Sequence, residues 1–481
     1  MLIENETLPA EYMGGKPLCM KQYEQVLSSC RIPGLKTDTL VFHSKRPNPP
    51  KHISVIHNCQ FFMLDVYNSD GTLLTADQVC VQLEKICNSS LQTNMEPVGI
   101  LTTQYRDIWS KTYAGLIKDK TNKESLSAIE RSIFTVCLDK VMPPVSHEMN
   151  HTSTILQMLH GGGSQYNSGN RWFDKGMQVI IGEDGTYGTN ISHAGADGTT
   201  LNRLVEHTIE YMNRRKPQTM QSAMEPLPMP QKLHFNITPD IKMDIEEAKQ
   251  HIDKLTQDLD LSASVFEHFG KNVIKAFKMS PDAFVQVALQ LTYYRIYQQC
   301  CGVIEPASLR MFRHGRIDTI HSTSSASVAF VKAFDDPKKQ NSEKLDLLDK
   351  AIKAHIWYIN MAISGQAVQG HFMGLQNQAV EEKIPMPEIF TDTSFTKAFN
   401  FQISTSQITS KLGHLPCVGP EKLGIYAVCY CVMNDHINIM VSRFKDSNTC
   451  KENNTPHLIQ ALEDALLDMR KLLEETPRAK L

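Results

Sequence analysis

One histidine, His193, lies between a strand-like run and a turn of small residues. Residues 177–181 and 187–191 are short apolar or β-prone runs, and the Glu-Asp-Gly-Thr segment between them is typical of a hairpin turn. We therefore expect His193 at a strand end, where the following alanines and glycine leave space for a ligand. An imidazole at such a position can accept a hydroxyl proton and act as a base. A hydrogen-bonded core histidine is the alternative, and it is the more common role of a lone histidine.

Two other motifs that contain histidine resemble catalytic sites, and the surrounding residues argue against both. His147 to His151 matches the H-E-x-x-H pattern of zinc hydrolases. Two prolines precede it, and Thr154 and Gln157 occupy the glycine and histidine positions of the extended pattern, so we expect no metal site. His160 to Gly163 resembles a hydrolase oxyanion loop, but no G-x-S-x-G elbow accompanies it. This segment is predicted to be a flexible glycine turn.

The length of 481 residues exceeds one usual hydrophobic core and predicts two domains. The proline-rich segment 225–230 interrupts the periodic patterns, which indicates an N-terminal domain over 1–230 and a C-terminal domain over 231–481. Helix-like and strand-like stretches alternate in both, as in mixed α/β proteins. The predicted elements are strands over 61–66, 423–431 and 437–441, and helices over 75–86, 283–297 (capped by Ser280) and 457–473.

Composition excludes some classes of protein. Lys and Arg total 49 against 52 Asp and Glu, a net charge of −3 that does not favour nucleic-acid binding. No apolar run is long enough to span a bilayer and the N-terminus lacks a secretory signal, so we expect a soluble intracellular protein without a transmembrane segment. The 12 cysteines follow no repeated spacing, which predicts reduced thiols, with Cys300, Cys301, Cys429 and Cys431 in the core.

Four sequence blocks occur in a fixed order: Asn170-Arg-Trp-Phe-Asp-Lys175 with His193-Ala-Gly-Ala-Asp-Gly198, then His268-Phe-Gly-Lys271 with Ser280-Pro-Asp282, then Leu309-Arg-Met-Phe312 with Gly315-Arg316, and Ser404-Thr-Ser-Gln407. This order resembles the choline/carnitine acyltransferase family, most of all its carnitine-using, acetyl-transferring branch, over essentially the whole chain. The resemblance implies a two-domain α/β fold in which each domain is similar to chloramphenicol acetyltransferase, a mixed sheet flanked by helices. It also implies that His193 lies at the channel between the domains.

The resemblance implies a reversible transfer of a short acyl group between coenzyme A and the hydroxyl group of carnitine or a related alcohol. His193 matches the family's base. Asp197 stands where the family has glutamate, and Arg316 matches the arginine that pairs with it. Ser406 matches the hydroxyl that donates to the oxyanion, and Ser404 belongs to the alcohol site. Without the family, a Ser-Thr-Ser run is more typical of a polar strand or turn.

The resemblance also indicates where acyl-coenzyme A binds. For the lysines of this region, the alternative is a solvated surface that binds no ligand. Ile356 stands where the carnitine enzymes have a coenzyme-contacting arginine, so we expect weaker coenzyme binding. The matching positions are Lys271, Lys275, Asp282, Ser308 and Gln407, to which Lys278 adds a third cation just before a predicted helix.

The alcohol site departs from the family. Carnitine acyltransferases hold the substrate carboxylate with an arginine, a tyrosine, a threonine and a serine, and this chain has Gly370, Ile304, Ile317 and Pro306 there. A desolvated carboxylate without a cation costs several kcal/mol, so we expect carnitine to bind poorly. Pro416 and Val418 replace larger residues of the acyl pocket, which leaves the acyl length open.

Both ends of the chain affect the hypothesis. The chain begins where the family pattern is already under way, ahead of Gly14-Gly15-Lys16. A non-catalytic or altered-specificity member that binds coenzyme A or a protein partner is therefore the alternative function. Ala479-Lys480-Leu481 resembles a peroxisomal address, which predicts a peroxisomal location and an import receptor as partner. A solvated tail, with a cytoplasmic or mitochondrial location, is the alternative.

Overall fold

A computed structural model describes residues 7–143, 150–214, 227–413, 417–445 and 454–476. The chain forms two compact units, each containing a six-stranded sheet. The first comprises Met20–Asp258 with residues 7–10, and the second comprises Glu11–Cys19 with Leu259–Leu481. The two units therefore divide at Asp258, later than the predicted domain end at residue 230.

The strands are β1 (Tyr12–Met13), β2 (Lys16–Pro17), β3 (Ser29–Ile32), β4 (Thr39–Phe42), β5 (His52–His57), β6 (Gln60–Asp65), β7 (Thr135–Asp139), β8 (Met177–Gly182), β9 (Tyr187–Ile191), β10 (Gln231–Lys232), β11 (Leu259–Phe266), β12 (Val303–Ser308), β13 (Ile317–His321), β14 (Ile403–Gln407), β15 (Tyr426–Val432) and β16 (Ile437–Phe444).

The α-helices are α1 (Lys21–Val26), α2 (Ala76–Ser89), α3 (Arg106–Leu116), α4 (Lys120–Arg131), α5 (Asn150–His160), α6 (Gly198–Arg214), α7 (Pro239–Asp258), α8 (Lys271–Ala276), α9 (Pro281–Tyr297), α10 (Ser325–Phe334), α11 (Asn341–Ile363), α12 (Gln369–Glu381), α13 (Glu388–Thr391), α14 (Thr393–Ala398) and α15 (Thr455–Glu475).

The sheet of the first unit has the strand order β10-β6-β5-β7-β8-β9. The central pairs β5–β7 and β7–β8 are parallel, whereas β8 and β9 form an antiparallel hairpin. Gly185 closes this hairpin with a φ of +84°, a conformation that glycine adopts without strain. The predicted hairpin before His193 is confirmed.

The sheet of the second unit has the order β11-β16-β15-β14-β12-β13, in which β14 is parallel to both of its neighbours. Helix α9 is buried continuously from Ala283 to Thr292, as expected of a helix that is largely apolar all round. The hydroxyl of Ser280 accepts a hydrogen bond from the Ala283 N–H at 3.3 Å and caps this helix. The mixed α/β architecture predicted from the sequence is therefore confirmed.

The other predicted elements are found within a few residues of their expected bounds, as β6, α2, β15, β16 and α15 show. The described cysteines are free thiols. Cys301, Cys429 and Cys431 are buried, but the prediction was wrong for Cys300, which is exposed because it lies beyond the end of α9.

Some predicted features lie outside the described residues: His147 and Glu148, the start of the proline-rich segment, Pro416, and the C-terminal Ala-Lys-Leu. Of the described motif residues, His151 lies on α5 and is exposed. Within the described ranges, no helix combines the length and the apolar character needed to cross a membrane.

Candidate active site

His193 lies two residues after the end of β9, as the sequence predicts. Its side chain is 54% exposed, which argues against the alternative of a core histidine. Its Nδ1 atom is 3.7 Å from Oδ1 of Asp197. Because the carboxylate faces Nδ1, Nε2 is the ring atom that would exchange a proton with a bound substrate.

Asp197 is held in place by a residue that the sequence did not indicate, Gln22 on α1. The Gln22 Nε2 donates to Asp197 Oδ2 at 2.7 Å, and the Asp197 N–H donates to Gln22 Oε1 at 2.9 Å. The Thr200 hydroxyl donates to the same Gln22 oxygen at 3.0 Å. These bonds are buried, so the carboxylate beside the imidazole has one defined position.

The small residues after His193 do not mainly leave space for a ligand. Ala196 is buried in a cluster with Val26, Met177 and Leu201. A Cβ on Gly195 would lie 3.0 Å from the carbonyl oxygen of Gln25. Their small size therefore allows the turn to pack closely against α1, which corrects the expectation from the sequence.

The Asn170 to Lys175 block forms the core beneath the β8–β9 hairpin. Arg171 is fully buried and makes two hydrogen bonds to Asp139, at 2.6 and 2.7 Å. Asp174 accepts from the Trp109 indole at 2.7 Å. Lys175 is also buried, and this burial lowers its pKa to about 8. The Trp172 N–H donates to Gln178 Oε1 on β8 at 2.7 Å, so the block also supports the hairpin that precedes the histidine.

In the second unit, the predicted alcohol and oxyanion residues that lie on strands share one face of the sheet, whereas Gly370 lies on α12. Ile304 is paired with Ser404 on one side and with His321 on the other. Alternate residues of a strand point to the same face, so the register places every second residue of β12, β13 and β14 on one face of the sheet. Those on this face are Ile304, Pro306, Ser308, Ser404, Ser406 and Ile317.

This face offers both a hydroxyl donor and apolar surface. The Ser406 hydroxyl makes no hydrogen bond to another described residue, whereas Ser404 lies 3.5 Å from a Glu421 oxygen. A cavity of about 400 Å³ lies beside Ile304 and is also lined by His321 and Phe401. Arg316 is half-buried just before β13, and its predicted pairing with Asp197 stays a prediction.

Gly370 lies in the first turn of α12, where its N–H donates to Asp318 Oδ1 at 3.2 Å. Position 370, which the resemblance assigns to a cation, is therefore next to a carboxylate. This carboxylate has no ion-pair partner among the described residues. Ile304 is 8% exposed and Ile317 is 46% exposed. A substrate carboxylate would therefore find no cation from these residues.

Four of the predicted coenzyme residues lie on α8, on α9 or between them. Lys271 is half-buried at the start of α8, and Lys275 and Lys278 are exposed. None of the three has an ion-pair partner among the residues described, so their charges are available to an anion. Ile356 is 38% exposed on α11. Gln407 and Ser308 lie at the ends of β14 and β12.

Asp282 has a different environment from the lysines. The Tyr430 hydroxyl donates to its Oδ1 at 2.6 Å. Burial, and then the nearby Glu305, raise its pKa to about 6. Ligand atoms of Asp282, Glu305 and His355 lie within 4.8 Å of one another, which is close enough to hold a metal ion. Protein donors already hydrogen-bond both carboxyl groups, so the cluster is explained without an ion.

Comparisons with known proteins identify the family of this chain. A model of the choline/carnitine O-acyltransferase family matches residues 1–464. Carnitine O-acetyltransferase of Rattus norvegicus is 55% identical over 480 residues, which are 100% of this chain and 76% of that protein. Carnitine O-acetyltransferase of Homo sapiens is 55% identical over 481 residues, with the same coverage of 100% and 76%.

Choline O-acetyltransferase of Danio rerio is 39% identical over 480 residues, or 98% of this chain and 74% of that protein. A solved chloramphenicol acetyltransferase is a distant match, with a TM-score of 0.25 and 10% identity, covering 45% of this chain and 88% of that chain. The family match and the identities over the full chain leave one conclusion. This chain belongs to the choline/carnitine O-acyltransferase family.

Proposed function

We propose that this protein transfers a short acyl group reversibly between coenzyme A and the hydroxyl group of carnitine or a related alcohol. The observation that carries this proposal is the exposed His193 imidazole beside the buried Asp197 carboxylate. The 55% identity to carnitine O-acetyltransferases supports the same chemistry. Acyl-coenzyme A is the co-substrate that this reaction requires.

In the forward step, Nε2 of His193 accepts the hydroxyl proton of the alcohol. The alcohol oxygen attacks the thioester carbon, and the Ser406 hydroxyl donates to the resulting oxyanion. The carbon–sulfur bond then breaks, and the departing coenzyme A thiolate takes the proton from the imidazolium. No covalent enzyme intermediate is needed, and the same base serves the reverse reaction.

Coenzyme binding is assigned to the three lysines of residues 271–278. Their positive charge would attract coenzyme phosphates, as a cluster of unpaired cations does. The substitution of Ile356 for a family arginine removes one further cation. The loss of four polar groups at Ile304, Pro306, Ile317 and Gly370 favours a second candidate, an acyltransferase whose alcohol lacks a carboxylate.

The test is acetyl-coenzyme A consumption by the purified chain, with carnitine and choline offered in parallel. We expect turnover that His193→Ala lowers by about a hundredfold or more, because general base catalysis contributes on the order of 10² to 10⁴. The matched control is His207→Ala, an exposed histidine on α6 that should leave turnover unchanged. Calorimetric binding of coenzyme A without turnover on either alcohol would support the non-catalytic alternative.

We also propose a peroxisomal location, with the import receptor as partner. The proposal rests on the sequence of the last three residues, Ala479-Lys480-Leu481. A fluorescent protein fused ahead of the full chain should enter peroxisomes, and deletion of these three residues should leave it in the cytoplasm. Import that survives the deletion would contradict the proposal.

A further inference from the structure

A buried polar network lies directly behind the strand that carries Ser404 and Ser406. Thr405 lies between them on β14 and points to the opposite face of the sheet. Its Oγ1 accepts from Gln286 Nε2 at 2.9 Å and donates to the carbonyl oxygen of Ile304 at 2.9 Å. One hydroxyl therefore connects β14 both to helix α9 and to strand β12.

The position of Gln286 is fixed by other buried groups. Its Nε2 is also 3.0 Å from Glu305 Oε2 and 2.9 Å from the Tyr430 hydroxyl. The other carboxylate oxygen of Glu305 accepts from the Ser322 hydroxyl at 3.0 Å and from Nε2 of His355. Although burial opposes its protonation, the bond to Glu305 gives His355 a raised pKa.

These groups are among the least exposed polar side chains of the second unit. Gln286 is 0% exposed, His355 3%, Thr405 4% and Glu305 5%. A buried polar group that loses its partner destabilises the fold, so a connected network allows few alternative arrangements. A shift of β14 along or away from β12 would break both Thr405 bonds and leave the Gln286 amide to Glu305 and Tyr430 alone.

We infer that Thr405, anchored through Gln286 to Glu305, is a positioning residue that sets where the Ser404 and Ser406 hydroxyls lie. It acts through the backbone of β14 and does not touch substrate. The inference rests on the proposed function, in which Ser406 donates to the oxyanion. A displacement of well under 1 Å at such a donor weakens a bond that forms only in the transition state, so kcat is affected before KM.

The test compares Thr405→Val with Thr405→Ser and Thr292→Val. Valine has the shape of threonine without its hydroxyl, whereas serine keeps the hydroxyl. Thr292 is a buried threonine of the same unit that bonds to the Ala288 carbonyl and lies outside the network. We expect Thr405→Val to lower kcat about tenfold and leave the KM for acetyl-coenzyme A within about twofold. Thr405→Ser and Thr292→Val should keep the parent kcat.

Two further measurements keep the inference testable. Hydrogen–deuterium exchange over residues 403–407 should be faster in Thr405→Val than in Thr292→Val, and this readout does not require turnover. Gln286→Met removes the donor at the other end of the bond and should reproduce the kcat loss if Thr405→Val does not fold. An active parent with unchanged kcat and exchange in Thr405→Val would overturn the inference. If the parent protein is inactive, the proposed function is wrong. Hydrogen–deuterium exchange over residues 403–407 alone would then decide whether Thr405 positions β14.

Discussion

Nδ1 of His193 lies 3.7 Å from Oδ1 of Asp197, and the second oxygen of this carboxylate is occupied by Gln22. The imidazole is exposed, while the group that orients it is buried. This arrangement keeps the ring accessible to substrate and restricts its orientation. In the proposed mechanism, it would also stabilise the imidazolium that forms when the alcohol loses its proton.

Asp197→Asn tests this relationship, because the amide keeps the shape of the side chain and removes its charge. We expect kcat to fall about tenfold or more with little change in KM, since the charge acts mainly when the imidazolium forms. Gln22→Ala should give a smaller loss in the same direction. Steady-state kinetics of both variants would check this, and a rise in KM at constant kcat would contradict it.

Gly370→Arg tests the altered alcohol site. A Cβ on Gly370 would lie 3.3 and 3.4 Å from the two Asp318 oxygens, a tight contact, and the flexible arginine stem would let the guanidinium fold back and pair with this carboxylate. We expect a modest gain in kcat/KM for carnitine from this variant alone. Adding Asp318→Asn should increase the gain by about tenfold, which corresponds to about 1.4 kcal/mol. Choline, which has no carboxylate, should gain nothing.

Local patterns predicted much of the fold, and they failed where contacts are distant in sequence. The hairpin before His193 and the capped helix α9 were predictable because turn and cap residues lie within a few positions of each other. Gln22 and Asp197 are 175 residues apart, and Gln286 and Thr405 are 119 apart. No periodicity relates such residues, and the signal available from the sequence was a glutamine, Gln286, within the apolar stretch 283–289 of α9.

Family resemblance and structure explain different properties of the same residues. Arg171 belongs to a motif of the family, yet its side chain is buried against Asp139 and does not reach solvent. The match identified the motif, and the structure indicates that this part of it stabilises the first unit. Asp318 was not indicated by any motif and became relevant only through its bond to Gly370.

Arg171→Met should strongly destabilise the first unit. It leaves the Asp139 carboxylate buried without its cation, which typically costs about 3–5 kcal/mol. Removing both charges, in Arg171→Met with Asp139→Leu, should cost less than the sum of the two single changes. Urea unfolding of the three variants measures this coupling. Strictly additive losses would show that the pair does not act as a unit.

The environment of His160 predicts how the free energy of unfolding depends on pH. Its Nδ1 accepts from the Gly162 N–H at 2.9 Å, within a turn whose three glycines all have positive φ. Nε2 is buried and has no hydrogen-bond partner among the residues that the structure describes. Burial, with a smaller contribution from Arg171, lowers the pKa of His160 to about 4. The folded protein therefore requires the neutral ring.

Because the unfolded chain binds this proton near pH 6.5 and the folded chain only near pH 4, the unfolded state carries more protons between these values. The contribution of His160 is complete above pH 6.5 and is lost as pH falls to 4, a change of about 3 kcal/mol. His160→Asn keeps an acceptor for Gly162 and does not titrate, so its unfolding free energy should fall less over this range. The exposed His207→Asn should follow the parent. If His160→Asn also follows the parent, the neutral buried ring is not what makes the fold sensitive to acid.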